Sequence, residues 1–400
     1  MPIKISLDAA MYCVVLLMAF AVPLSTAAAS IAVGAGTLFI AVKYFRTREM
    51  PPFDAELLEV LAVYIVCQIF IAATSWDVAI SFREVVGEIH RFFPLIFAMT
   101  FIKNREQLCG ILIATILASL INEAAGIFQY FVLGEPRAFG FNHTPTFYGS
   151  FMLMQLPMMI FIARLKILSP IWRRLAMVAV IFSLICLVLS MTRGAWLAFI
   201  MVVVIFVLLE KKYRRVTAKI FAGLTIIFLV VTMMSPRLQD RLLTLTDANF
   251  RSNSERILMW ESALKIFRDY PIYGVGQKIF FTAYNEYYIS HDAKERPSTD
   301  RRGHTHPHNN LLHRASEGGL IGLASFIGLY AYFFWKFYMQ FRRERKFSIC
   351  AGLTAFLILA GLQLEGLTDT NMNQVPIMRE FWLLAGTLIA AEHILKQRAT

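Results

Sequence analysis

Ten residues hold half of this chain's histidines. The run His304-Thr305-His306-Pro307-His308-Asn309-Asn310-Leu311-Leu312-His313 contains four of eight. An imidazole titrates at about 6.5, so near neutral pH it can act as a base or bind a metal. The run lies where a long polar stretch re-enters apolar sequence, the position at which a membrane enzyme would meet a lipid-borne substrate. His306-Pro307 reads as a helix entrance, because proline at the first helical position gives up no needed N–H. His308 and Asn309 would then occupy the first turn, where unpaired N–H groups and the helix dipole attract anions. His313 follows Asn309 by one turn, and Glu317 follows His313 by another, within reach to fix its tautomer. Three chemistries fit: a general base with anion contacts, a His-x-His-x-His metal site, or a solvated loop end. No carboxylate or cysteine stands beside the run as a further metal ligand, although three histidines can suffice. His308, nearer the aqueous mouth, is the leading base and His313 its rival, with His306, Asn309 and Glu317 in support.

Three arginines could serve such a base. Thr192-Arg193-Gly194 sets an arginine between two apolar segments with no acidic neighbour in sequence. Arg137 opens Arg137-Ala138-Phe139-Gly140-Phe141-Asn142-His143-Thr144-Pro145, and Arg256 lies at the polar start of an amphipathic stretch. Guanidinium forks bind phosphate in a bidentate manner, so converging arginines suit a diphosphate. Each could equally snorkel to lipid headgroups.

What must position these residues is a membrane bundle. The 400 residues are 58% hydrophobic and only 16% charged, with a mean hydropathy of +0.58. Soluble domains carry about 25% charged residues, which excludes that class. Apolar segments near 10–28, 30–43, 56–74, 85–102, 108–132, 147–164, 174–191, 194–210, 217–234, 317–339, 349–366 and 379–395 give an all-α polytopic fold of about twelve transmembrane helices. The N-terminus resembles a secretory signal but reads as an uncleaved first span.

The formal charge is +12, and its distribution is topological. Clusters such as Lys43/Arg46/Arg48, Lys103/Arg105, Lys211/Lys212/Arg214/Arg215, Arg342/Arg343/Arg345/Lys346 and Lys396/Arg398 fall on one side when both termini are cytoplasmic. Membrane lipids, not nucleic acid, are the expected partners of these cations. The five cysteines lie in apolar segments, so no disulfide framework is expected. Glu88, Arg91, Glu123, Glu365 and Asp369 fall inside or beside apolar segments, where charge is costly, and so belong to the bundle interior or a wet cavity. No internal repeat or broken helix marks a transporter, the alternative from another class.

The chain thus divides into helices one to nine over 1–234, one long extracytoplasmic loop over 235–316, and helices ten to twelve over 317–400. Within the loop, Ile257, Trp260, Leu264 and Phe267 predict an amphipathic helix near 254–269, capped by Ser254, that lies on the bilayer or packs over the bundle. The aromatics Phe280, Phe281, Tyr284, Tyr287 and Tyr288 form either an interfacial belt or a sugar-stacking surface.

Four of these motifs, in order and on one membrane face, resemble the O-antigen ligase and polymerase superfamily of bacterial envelope enzymes. They are Arg137-x-x-Gly140 with Asn142 and Pro145; Ser190-x-Thr192-Arg193-Gly194-Ala195-Trp196; Arg256-x-x-x-Trp260 with Pro271-x-x-Gly274-x-Gly276; and His308-Asn309 with Gly319-x-x-Gly322. Leu323 departs from the threonine that often follows the last glycine. The resemblance implies glycan transfer from undecaprenyl diphosphate to an acceptor hydroxyl in the bacterial inner membrane, with the site on the periplasmic face. For a ligase the acceptor is a lipid A-core oligosaccharide; a polymerase or a protein O-oligosaccharyltransferase would differ in acceptor. His308 would be the base, Arg193 and Arg256 diphosphate clamps, and Arg137 a weaker third. No metal or cofactor is expected.

Overall fold

The computed structural model describes residues 6–48, 54–244, 247, 250–294, 306–344 and 350–396. His304, Arg345, Lys346 and Arg398 lie outside the described residues. The helices are α1 (Leu7–Ala21), α2 (Thr26–Thr47), α3 (Ala55–Ala73), α4 (Val78–Phe101), α5 (Arg105–Phe131), α6 (Pro145–Arg164), α7 (Pro170–Leu189) and α8 (Arg193–Leu209). They continue as α9 (Arg214–Met234), α10 (Pro236–Leu243), α11 (Arg251–Asp269), α12 (Phe280–Ala283), α13 (His291–Lys294), α14 (Asn310–Glu344), α15 (Ala351–Glu365) and α16 (Val375–Lys396). The apolar segments fall on helices, although 10–28 crosses the turn between α1 and α2, and the fold is that of an all-α polytopic membrane protein. Among the described residues, seven helices are long and apolar enough to cross a membrane, and α1, α8 and α15 are shorter apolar helices.

The two remaining segments, α4 and α16, belong to neither group, because they carry more polar and charged residues. They pack closely against each other. Nearly every residue of α16 from Ile377 to Glu392 is buried. A Cβ on Gly386 would stand 2.6 Å from the Leu95 carbonyl oxygen, so only glycine lets the two backbones pass this closely. Trp382 fills the space around them, against Phe92, Phe333 and Phe381. At the other extreme, Thr232 is the one buried residue of α9.

Polar residues start the helices where the chain leaves apolar surroundings. The side chains of Ser6, Asp54, Asn104 and Thr144 accept from Ala9, Leu57, Gln107 and Phe147 N–H groups, satisfying donors that a helix start leaves orphaned. Basic residues expected on one side gather locally: Lys43 and Lys103 both reach Asp8, and Arg343 and Lys396 both reach Glu392.

The long polar segment has a small core of its own, built from Met259, Ala263, Ile266, Val275, Ile279, Phe280, Ala283 and Tyr284. This corrects the expected face of α11. Met259, Ala263 and Ile266 point inward, while Ile257 (41% exposed) and Leu264 (53% exposed) point outward. The helix carries two apolar stripes, and the one evident from sequence is the outer one. It also begins at Arg251, ahead of Ser254. The aromatic series divides likewise: Phe280 and Tyr284 stack inside, whereas Phe281 and Tyr287 are exposed.

One helix is broken, contrary to expectation. Gly319 in α14 has φ 59 and ψ −151, a region open essentially to glycine alone. The segment Pro271–Gly276 threads this break. Val275 and Gly276 N–H groups donate to the Ser316 and Glu317 carbonyls at 3.2 and 2.9 Å, and Leu320 and Ile321 donate to the Pro271 and Ile272 carbonyls at 2.8 and 3.1 Å. Backbone groups freed by the break are thereby paired again. Two motifs 45 or so residues apart in sequence are one interlocked junction, fixing the first part of α14.

Candidate active site: a cationic cleft beside a histidine

Several separate segments converge on a cleft of about 190 Å³ lined by Arg137, Arg193, Arg241, Arg256, His308, Glu365 and Asp369, among others. A larger cavity of about 290 Å³ lies near the other end of α16, around Asp54 and His393, and its lining is mainly apolar. The polar chemistry is concentrated in the smaller one.

Arg137, between α5 and α6, donates from Nε to the Ser190 carbonyl at 2.8 Å and from Nη2 to Thr192 Oγ1 at 3.1 Å. Arg193 is the first residue of α8. Its Nη2 donates to Asn253 Oδ1 at 2.6 Å, its Nη1 meets the Thr244 carbonyl, and it lies over the Phe250 ring. Arg241 on α10 donates from Nε to the Met191 carbonyl at 2.9 Å. That carbonyl is aimed by the left-handed backbone of Met191 (φ 49). Arg256 enters from α11. The described hydrogen-bond partners of Arg137, Arg193 and Arg241 are carbonyl, hydroxyl and amide oxygens, so none of the three is held in a described ion pair. Burial, reinforced by Arg193 and Arg256, lowers Arg137 to about 10, and burial with Arg137 and Arg256 does the same to Arg241. Both remain cations at neutral pH.

His308 faces this cluster. Its backbone is left-handed (φ 50), and its Nδ1 lies 3.0 Å from Asp369 Oδ1. Burial alone would raise the Asp369 pKa, but the His308 hydrogen bond and the nearby His308, His306 and Arg256 charges bring it to about 2. Ionised Asp369 can only accept, so in a neutral His308 the proton sits on Nδ1 and the lone pair on Nε2. His306 packs beside it with its ring tilted, centroids 4.6 Å apart, and with Nε2 3.9 Å from the same carboxylate oxygen. His306, His308 and Asp369 present ligand atoms close enough to hold a metal ion. The carboxylate absent beside the run in sequence is supplied from the turn between α15 and α16.

The helix entrance differs from expectation. Residues 306–309 precede the helix, which starts at Asn310, so His308 and Asn309 are not in its first turn. Asn309 is the cap, its Oδ1 accepting the Leu312 N–H at 3.0 Å. The Asn309 N–H donates to Thr370 Oγ1, and the Asn310 N–H donates to the Gly366 carbonyl. With these donors occupied, the helix end offers little to an anion. Its function is to clamp α14 to the 366–372 turn that carries Asp369.

His313 stands apart from the cleft. It is 4% exposed at the side chain against 27% for His308, and its Nε2 lies 3.0 Å from Glu317 Oε2. Glu317 Oε1 accepts the Phe280 N–H at 3.1 Å, tying this pair to the interlocked junction. Of the other intramembrane charges, Glu88 binds Arg314 and Tyr64, Arg91 binds Glu84 and Asn373, and Glu123 binds Ser119 and Ser183. These are paired structural groups. Glu365 and Asp369 are the two that reach the cleft. Sequence reasoning missed Arg241, which belongs to none of the motifs.

Fold and site together define a polytopic all-α membrane protein with a cationic, histidine-bearing cleft. The O-Antigen ligase family matches residues 178–327, a stretch that includes Arg193, Arg241, Arg256 and His308. The chain is also 26% identical over 209 residues to the O-antigen ligase of Salmonella typhimurium (strain LT2), covering 50% of this chain and 48% of that protein. The match thus spans about half of each. The chain is thus similar to the O-antigen ligase family over residues 178–327.

Proposed function

We propose that the protein is an O-antigen ligase: an inverting glycosyltransferase that moves O-antigen glycan from undecaprenyl diphosphate to a sugar hydroxyl of the lipid A-core oligosaccharide. It works in the bacterial inner membrane, with the cleft on the periplasmic face. The observation that carries this reading is the convergence of Arg137, Arg193, Arg241 and Arg256 with the His308–Asp369 pair on one cleft. A base alone suits many reactions. A base beside arginines without carboxylate partners suits one in which a phosphate-bearing group departs.

In this reading the acceptor hydroxyl gives its proton to His308 Nε2 and its oxygen attacks the anomeric carbon. The bond from that carbon to the phosphate oxygen breaks, and its electron pair leaves with the lipid diphosphate. Attack from the face opposite the leaving group inverts the anomeric centre. Positioned base catalysis contributes about 10²–10⁴-fold. Fixed guanidinium groups stabilise the charge that develops on the diphosphate, a term worth about 10²–10³ per donor in comparable sites. The chain's own cations take the part a metal ion plays elsewhere, so neither metal nor cofactor is required. His313, with Glu317, supports the geometry from behind.

The test is purified protein with undecaprenyl-diphosphate-linked glycan and lipid A-core in a metal chelator. Ligated lipopolysaccharide with the anomeric configuration inverted is expected. Lengthened glycan still on the carrier lipid would make it a polymerase, and product formed only with added metal would overturn the metal-free mechanism.

A further inference from the structure

We propose that Arg241 makes the cleft prefer the departing lipid diphosphate to the lipid-linked donor, so that the enzyme is held by its own leaving group. The inference rests on the cleft taking a diphosphate.

The donor is a diphosphate diester, with one negative charge on each phosphate. When the glycosidic bond breaks, one phosphate becomes terminal. Such a group ionises a second time at about pH 6 and so carries a further charge at neutral pH. The reaction therefore adds one negative charge to the bound carrier lipid, while the proton goes to His308.

Four guanidinium groups line the cleft against Asp369 and Glu365. Even with both carboxylates ionised, a surplus of two positive charges remains. Asp369 is engaged by His308, and Glu365 Oε2 accepts from Ser150 Oγ at 2.6 Å and Asn371 Nδ2 at 3.0 Å. The surplus is therefore presented to the ligand.

Among the three whose hydrogen bonds are described, Arg241 is held differently. Arg137 uses Nη2, and Arg193 both Nη groups, on the protein. Arg241 is anchored through Nε to the Met191 carbonyl, and no described hydrogen bond occupies either Nη. An arginine oriented at Nε, with its two Nη groups open, presents a preset fork to an oxyanion. It also lies close enough to Arg137, Arg193 and Arg256 for mutual repulsion, which an incoming charge relieves. A terminal phosphate, with three acceptor oxygens and the extra charge, meets these donors better than a diester phosphate does.

The test uses the full-length protein in detergent at pH 7.5 without divalent cations, and two soluble probes read by calorimetry. Inorganic pyrophosphate represents the ionised leaving group, and dimethyl diphosphate, esterified once on each phosphorus, the donor. Wild type is expected to bind pyrophosphate at least tenfold more tightly. Arg241→Gln should lower that preference to about twofold or less while retaining the diester. Arg241→Lys, which keeps charge but lacks the fork, should fall between. Arg237→Gln, an exposed site on the same helix, should match wild type. An unchanged melting temperature would separate these results from misfolding, and for a variant that does not fold, the lysine variant decides. Equal affinity of wild type for both probes, or a preference untouched in Arg241→Lys and Arg241→Gln, would overturn the inference and leave the diphosphate reading intact. Failure of both probes to bind wild type would overturn that reading itself.

Discussion

His308 Nδ1 and Asp369 Oδ1 lie 3.0 Å apart although sixty-one positions separate them in the chain. The contact exists because the cap of α14 is pinned to the turn after α15. Asp369 also accepts its neighbour Thr370's N–H at 2.7 Å, so the carboxylate is fixed before it orients the imidazole. Asp369→Asn should keep the shape but present an amide that can donate to Nδ1, favouring the wrong tautomer. By analogy with a serine protease, where the same exchange costs about 10⁴-fold, the turnover number should fall by about 10²–10⁴-fold with a smaller change in KM for the donor. Initial rates at varied donor concentration measure both.

Arg193 combines one Asn253 contact, two Thr244 contacts and the Phe250 ring, a geometry an ammonium cannot copy. Arg193→Lys should therefore lower kcat/KM by about 10²-fold or more despite conserving charge. Arg237→Gln, on the exposed face of α10, should leave it unchanged. Steady-state kinetics on both variants, with melting curves as a control, decides.

Burial and, after it, the neighbouring His308 lower the His306 pKa from 6.5 to about 3. Between those values the unfolded chain binds more protons at this position than the native one. Stability contributed by neutral His306 is therefore complete above pH 6.5 and is lost as pH falls toward 3. His306→Gln lacks this titration, so its melting temperature should decline less than that of wild type between pH 6.5 and 4. Parallel slopes for the two proteins would contradict the assignment.

Gly319→Ala tests the interlocked junction. The new Cβ would collide with the Ile272 carbonyl carbon, in a backbone region unfavourable to alanine. Strain of this kind costs about 1–3 kcal/mol before the clash is counted. A marked drop in melting temperature is expected. Gly328→Ala in the same helix, with open space around it, should be neutral or stabilising.

Much of the fold was legible because hydrophobic length survives folding: the apolar segments fall on helices, with the first boundary, between α1 and α2, misplaced. The break at Gly319 was not, since a glycine inside an apolar run looks the same in a continuous helix. The outer stripe of α11 misled for a related reason. Ile257 and Leu264 keep helical spacing as faithfully as Met259 and Ala263, and only the tertiary fold decides which set is buried. In the site, Arg137, Arg193, Arg256 and His308 stood out by motif and are brought together. Asp369 was visible only as a costly charge, since its partner is distant in sequence. Arg241 carried no local signal, because its placement depends on the Met191 carbonyl of another element.

The central claim, that His308 is the base, is tested most directly by comparing His308→Ala and His313→Ala with wild type in the chelated ligation assay. His308→Ala should abolish ligated product while retaining the wild-type melting temperature. His313→Ala should retain product at a reduced rate, in proportion to any loss of stability. Full activity in a folded His308→Ala protein, with activity lost in a folded His313→Ala protein, would contradict the account.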